Sequence, residues 1–293
     1  MVYRLIKIVY RYIICELNIR TLLRNHFINR LSSLDLTKIS DKKDVLFILG
    51  SGASINEISK QGWKNISEGV SVGLNYWIIH DFVPSLLMFE IPRSERANYF
   101  FNILHKKKSV YQGVPMLLKG LYLNRTHFNK IHKLYRKFPK ELLSEIYLCQ
   151  EFPIPGKNDV DYTKALNMLF KLDFFKEREN VTTLAQYRGT VMCAIIFGII
   201  AGFKNIVLCG VDLNNTNYFY EEDKIYYESK GLKVPPTGQE GVVHKTNIRL
   251  NNALPISDAI VILSKFYSKH MNGKICVANK NSALYPTLDY YEI

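Results

Sequence analysis

His244, in the run Gly241-Val242-Val243-His244-Lys245-Thr246, is the residue of this chain best suited to move a proton at neutral pH. An imidazole titrates near 6.5 and can accept the proton of an attacking hydroxyl. A lone histidine is more often structural, and the other six (His26, His80, His105, His127, His132 and His270) have weaker contexts. Tyr218 and Tyr220 lie in the polar segment before His244, where their phenols can donate to a departing phosphate or simply pack that segment onto the body. Gly50-Ser51-Gly52-Ala53-Ser54 is a small-residue turn whose backbone N–H groups, with the helix after it, could cradle a phosphate. Ile55 stands where a dinucleotide fingerprint has its third glycine and no clear ribose-binding acid follows, which argues against a nicotinamide enzyme. Asp159-Val160-Asp161, the chain's only Asp-x-Asp, follows Pro-Gly-Lys-Asn and reads as a helix start instead of a metal motif.

These residues need a frame that gathers them. Val45-Leu46-Phe47-Ile48-Leu49 runs into the Gly50 turn, and Ile206-Val207-Leu208-Cys209 runs into Gly210-Val211-Asp212. Unbroken apolar strands of this kind are buried on both faces and belong to parallel sheets, which bind ligands at their carboxyl edge. A helix over 54–60, strands at Val70–Leu74 and Ser85–Phe89, and a last strand at Lys274–Ala278 extend the pattern as a βαβ unit and its return. Asn75, Glu90, Asp212 and Asn281 each follow one of these strands, so the fold collects four polar residues on one edge. Basic surface helices are expected over 94–108 and 126–145, and further helices over 161–175 and 257–270. Residues 189–202 are small and apolar on every side and predict a central buried helix. Residues 213–243 are polar, Pro- and Gly-bearing and weakly periodic, and their place after a strand's carboxyl end marks them as a lid.

The net charge of +13 calls for an anionic partner. No zinc-finger spacing, RNP signature or helix-turn-helix accompanies it, which places nucleic acid below a membrane surface or an anionic sugar. The five cysteines are scattered and mostly within apolar runs, as buried thiols in a reducing compartment would be. Residues 1–43 divide into a basic amphipathic helical extension and a linker over 31–43; residues 44–293 form the α/β domain. Arg4, Lys7 and Arg11 recur at helical spacing opposite Leu5, Ile6, Val9, Ile13 and Leu17. Such a helix either lies on an anionic leaflet or packs on the domain.

Taken in order, these segments resemble the bacterial lipooligosaccharide sialyltransferase family, whose members use CMP-activated nonulosonic acids. The likeness covers about residues 44–285 and is densest from Thr190-Val-Met-Cys-Ala through Gly210-Val211-Asp212. It implies one α/β domain, Rossmann-like and of the GT-A-variant type, with a mostly parallel sheet and a lid at about 213–243. It also implies inverting, metal-independent transfer without a cofactor, from a CMP-nonulosonate to a cell-surface glycan or glycolipid acceptor. By position, His244 would be the base, and Tyr218 or Tyr220 would stabilise the leaving phosphate. Gly50, Ser51, Gly52, Ser54 and Asn75 would hold the nucleotide. Glu90, Gly189, Thr190, Gly210, Asp212, Asn214, Asn281 and Ser282 would complete the donor site. Three departures stand out: Asn214 replaces the first of two leaving-group tyrosines, Tyr187-Arg188 replaces Thr-Ser, and Glu90 replaces an asparagine region. Arg188 is thereby a candidate for a carboxylate or phosphate, and the donor sugar is open among sialic, pseudaminic and legionaminic acids. The expected location is the inner face of the bacterial cytoplasmic membrane, with the N-terminal segment on anionic lipid, no nucleic-acid partner and homo-oligomerisation open. The competing functions are a metal-dependent, pyrophosphokinase-like nucleotide transferase and a non-catalytic scaffold of polysaccharide assembly.

Overall fold

Aliphatic runs without a polar face become strands where both faces of a sheet are covered, and they form the middle of one large sheet here. The structure, a computed structural model, describes residues 2–26, 28–40, 44–92, 95–121, 135–214, 217–236 and 243–293. Helix α1 (Val2–Asn25) leads into β1 (Asn29–Arg30) and α2 (Thr37–Ser40). Then come β2 (Val45–Leu49), α3 (Lys60–Glu68), β3 (Val70–Leu74), β4 (Leu86–Glu90), α4 (Arg96–Lys106) and β5 (Met116–Lys119). The middle of the chain supplies β6 (Ile146–Leu148), β7 (Gln150–Pro153), α5 (Asp159–Lys171), β8 (Thr183–Gln186) and α6 (Thr190–Ile200). It closes with β9 (Asn205–Cys209), α7 (Phe219–Glu222), α8 (Lys224–Ser229), α9 (Ile256–Met271) and β10 (Lys274–Val277).

Eight strands lie in the order β1-β6-β5-β4-β3-β2-β9-β10, and every pairing is parallel. β7 and β8 form a separate parallel pair. The chain steps outward from β2 to β6 and then crosses back to place β9 and β10 on the other side of β2. The strand order therefore reverses between β2 and β9, the point at which such sheets open a ligand crevice.

Alternation along each strand feeds two cores. Leu46 and Ile48 pack with α6 and α9 on one face; Phe47 and Leu49 pack on the other with α1, α4 and Trp77. Every residue of α6 is buried, as the apolar composition of 189–202 predicts. A Cβ on Gly198 would sit 2.6 Å from Leu46 Cδ2, so this helix lies against β2 because position 198 has no side chain.

The N-terminal segment is woven into this body. Cys15, Ile19 and Leu22 are buried, β1 pairs with Tyr147–Leu148, and Leu31, Leu34 and Leu36 lie in the core. The expected linker over 31–43 is thus core as far as Leu36, and residues 41–43 lie outside the described residues. All five cysteines are free and buried. Over 54–60 the chain makes a 3-10 turn (Ala53–Glu57), and a helix begins only at Lys60, where Ser59 Oγ caps it by accepting from Gly62 N at 3.0 Å. Asn158 Oδ1 likewise accepts from Asp161 N, which makes Asp159-Val160-Asp161 a helix start. Of the helix expected over 126–145, residues 126–134 lie outside the described residues, and Lys140–Glu145 is a 3-10 turn into β6.

The described parts of the polar segment 213–243 carry more regular structure than its composition suggests. α7 and α8 sit within it, and Phe219, Tyr220, Tyr227, Leu232 and Val234 are buried in the second core. Residues 215–216 and 237–242 lie outside the described residues. Among the described residues no helix is long and apolar enough to cross a membrane.

Candidate active site

A cavity of about 710 Å³ opens over the carboxyl ends of β9, β2, β3, β4 and β5. At the strand-order reversal the turns after β2 and β9 touch. Gly50 N donates to Cys209 O and Gly52 N to Gly210 O, at 2.7 and 2.8 Å. A Cβ on Gly50 would fall 2.3 Å from Gly210 O, and one on Gly52 equally close to Asp212 Oδ2. The glycines are therefore required by the meeting of two backbones, and the amides of Gly50 and Gly52 are already used.

Asp212 is held by Ser54, which donates from its backbone N (3.1 Å) and its hydroxyl (2.5 Å). Burial raises the Asp212 carboxyl above its ordinary range, and these two bonds oppose the shift. The pair fastens the Gly50 turn to the Gly210 turn, with Asp212 at the cavity wall.

Asn75 closes β3 with a φ of 52°, a left-handed conformation that asparagine tolerates. Its Oδ1 accepts from Glu90 N and from Thr190 Oγ1, both at 3.3 Å, joining the ends of β3, β4 and α6. Gly189, Thr190 and Val191 form part of the wall, and the free N–H groups at a helix's amino end favour an anion there.

At the other end, Tyr218 and Tyr220 stack with ring centroids 5.3 Å apart. Burial raises both phenols, Tyr220 well beyond the ordinary range, while the nearby Arg96 pulls them down. Tyr218 Oη lies 3.4 Å from His244 Nε2, and His244 Nδ1 lies 2.7 Å from Thr246 Oγ1. Burial, with Lys245 adding to it, lowers the imidazole below 6.5 and keeps it neutral at pH 7.

Arg188 has a different task from the one expected of it. It lines the cavity, but its guanidinium donates to the carbonyls of Ile248, Leu254 and Lys245 at 2.7, 2.7 and 3.1 Å. It ties down the segment that carries His244 while its own backbone sits at a φ of 52°. Four other predicted residues fall outside the cavity lining. Ser54 is spent on Asp212; Ser282 Oγ donates to Val211 O at 2.8 Å; Asn214 Nδ2 donates to Asn281 O at 2.6 Å. Ser282, Asn281 and Asn214 brace the back of the Asp212 turn.

Three lining residues carry no signal in the linear sequence. Lys119 is fully buried at the end of β5, its Nζ paired with Glu90 Oε1 and lying 3.6 Å from Glu151 Oε1. Burial works against its charge, but Glu151, Cys193 and Glu90 outweigh it and hold the ammonium well above the ordinary lysine range. Tyr76 donates its hydroxyl to Arg96 O, and the Arg96 guanidinium lies 5.3 Å from the Tyr76 ring centroid. The Nε of Arg96 is buried without a hydrogen-bond partner among the described residues. Lys119 is balanced by Glu90 and Glu151, which leaves Arg96, Arg188 and Lys245 against Asp212 among the described lining residues, an imbalance suited to an anionic ligand. Among the described residues no group of three or more His, Cys, Asp or Glu side chains is placed to hold a metal ion.

Fold and cavity together define the class: a Rossmann-like α/β protein with a mostly parallel central sheet and a cationic cleft at its switch point. No protein-family model and no curated protein matches the chain.

Proposed function

We propose that the chain is an inverting glycosyltransferase that moves a nonulosonic sugar from a CMP-linked donor to a glycan or glycolipid hydroxyl. The observation that carries this reading is the approach of His244 Nε2 to Tyr218 Oη, 3.4 Å apart, in a cavity with a surplus of cations. The Thr246 amide donates to His244 Nδ1 at 3.4 Å and the Thr246 hydroxyl lies 2.7 Å from the same atom; the base role requires the tautomer in which Nδ1–H donates to Thr246 Oγ1 in place of that amide bond, leaving the Nε2 lone pair toward Tyr218 Oη. The acceptor hydroxyl gives its proton to Nε2 as its oxygen bonds to the anomeric carbon. The bond from that carbon to the phosphate oxygen breaks, and CMP leaves with the electron pair. Inversion puts base and leaving group on opposite faces of the sugar, so donor entry has to part the His244–Tyr218 contact. Tyr218, Tyr220 and Arg96 then stay with the phosphate, whose developing charge they stabilise. Ser51, Asn75 and the amino end of α6 would hold the nucleotide. Residues 213–243 would act as the lid, and the whole as a GT-A-variant domain.

The test is a thermal-shift panel of CMP, CDP, UDP, GDP and ATP, each with and without Mg²⁺, followed by CMP-release assays with CMP-nonulosonates. Metal-independent stabilisation by CMP or CDP is expected. Stabilisation by UDP, GDP or ATP that requires Mg²⁺ would overturn the reading in favour of a metal-dependent nucleotide transferase.

A further inference from the structure

We infer that the outward face of α1 is a docking surface for an anionic membrane. The helix has two apolar faces. The inner one carries Cys15, Ile19 and Leu22, all buried, with Asn18 donating to Leu121 O at 2.7 Å. At about 100° per residue, positions 6, 9, 10, 13 and 17 project from the opposite side. Ile6, Val9, Tyr10, Ile13 and Leu17 are 60, 49, 55, 51 and 53% exposed there. An ordinary surface helix turns polar residues to solvent at such positions, and a contiguous apolar stripe marks an interaction surface.

Charge selects the occupant. The same face continues past Leu17 into Arg20 and Arg24, both exposed. The one carboxylate of α1, Glu16, is already bonded to Arg20 and Arg30. An apolar stripe ending in arginines is what an interfacial helix offers to anionic headgroups, its aliphatic residues entering the acyl boundary and its cations staying with phosphate. A second copy seated on this face would bring its own arginines and a net charge of +13 against the first. The inner face of the same helix reaches the candidate site, because Leu121, which accepts from Asn18, lines the cavity. The inference stands on α1 alone and does not depend on the transferase reading.

The experiment is flotation of the full chain with vesicles of equal parts phosphatidylglycerol and phosphatidylethanolamine, and with phosphatidylcholine vesicles as the neutral control. The expected result is binding to the anionic vesicles that weakens with added salt. Val9→Ser/Ile13→Ser/Leu17→Ser and, separately, Arg20→Gln/Arg24→Gln should each lower the partition coefficient by roughly tenfold or more. Melting temperatures should stay unchanged, since these side chains point away from the body. Equal binding to neutral vesicles, or a triple variant that floats like the wild type, would overturn the inference. So would a wild-type dimer that fails to float and that the triple variant converts to a monomer, which assigns the face to a second copy.

Discussion

Replacing Lys119 by Met should destabilise the protein by about 3–5 kcal/mol, the usual cost of removing one partner of a buried ion pair. Lys119 and Glu151 are both fully buried, with Nζ 3.6 Å from Oε1. At an effective dielectric of about 20, that separation corresponds to an attraction of about 5 kcal/mol. Glu90 is 41% exposed and regains water when the ammonium is removed, so little of the loss falls there. Glu151 has no such escape. It keeps the Gly120 N–H at 2.6 Å and the weak Cys193 thiol donor at 3.9 Å, and must either stay charged and underpaired or take up a proton. The assay is urea unfolding of Lys119→Met, Glu151→Gln and the double variant, with thermal melts alongside. Lys119→Met should lower the melting temperature by roughly 6–20 °C, and Glu151→Gln added to it should restore about 2 kcal/mol or more, the signature of coupled sites. A single-variant cost under about 1 kcal/mol, or two additive costs, would refute the reasoning.

Four further outcomes follow from the same geometry. His244→Ala should cut transfer by roughly 10²–10⁴-fold with CMP affinity nearly unchanged. In the wild type, activity should be lost as pH falls through an imidazole lying below 6.5, since burial depresses it; an acid limb above that value in kcat/KM profiles would contradict the base role. Ser54→Ala should cost about 1–3 kcal/mol by leaving Asp212 one bond short. Because burial already raises Asp212, that deficit should be largest at neutral pH and narrow as pH falls toward 3.8, since the folded carboxyl, held above that value, takes up its proton first and no longer needs the lost bond as a carboxylate; chemical denaturation across pH measures it. Arg96→Ala should weaken CMP binding by roughly ten- to a hundredfold, the loss of one charge-assisted contact, read by calorimetry; an unchanged affinity would remove Arg96 from the anion site.

The central frame was legible because it rests on local patterns. The runs 45–49, 70–74 and 206–209 carry their own burial signal, and the all-apolar stretch 190–200 admits one place only, against a covered sheet. Those strand ends also located Asn75, Glu90, Asp212 and the Gly50 turn at one edge. β1, β5, β6, β7 and β8 were not legible, being two to four residues long and too short for the two-residue alternation to repeat into a pattern. β5, β6 and β1 become strands because a neighbour already in the sheet offers unpaired backbone groups, and β7 and β8 because the fold brings the two segments side by side.

Individual site roles belong to the tertiary structure. The resemblance makes Arg188 a candidate for a carboxylate or phosphate, whereas the fold presents it with three carbonyls from residues 245–254 that need donors. Ser282 reads as a donor contact until Val211 O takes its hydroxyl. Lys119 looks like any surface lysine in a basic chain, and only the meeting of β4, β5 and β7 buries it between two carboxylates. Ser54 and Asp212, 158 positions apart, become one bonded pair. Spacing along the chain reports which face a side chain will take. Which partner it meets there depends on contacts between distant segments, and desolvation then makes each unpaired charge or hydrogen-bonding group costly enough that the partner found decides the role.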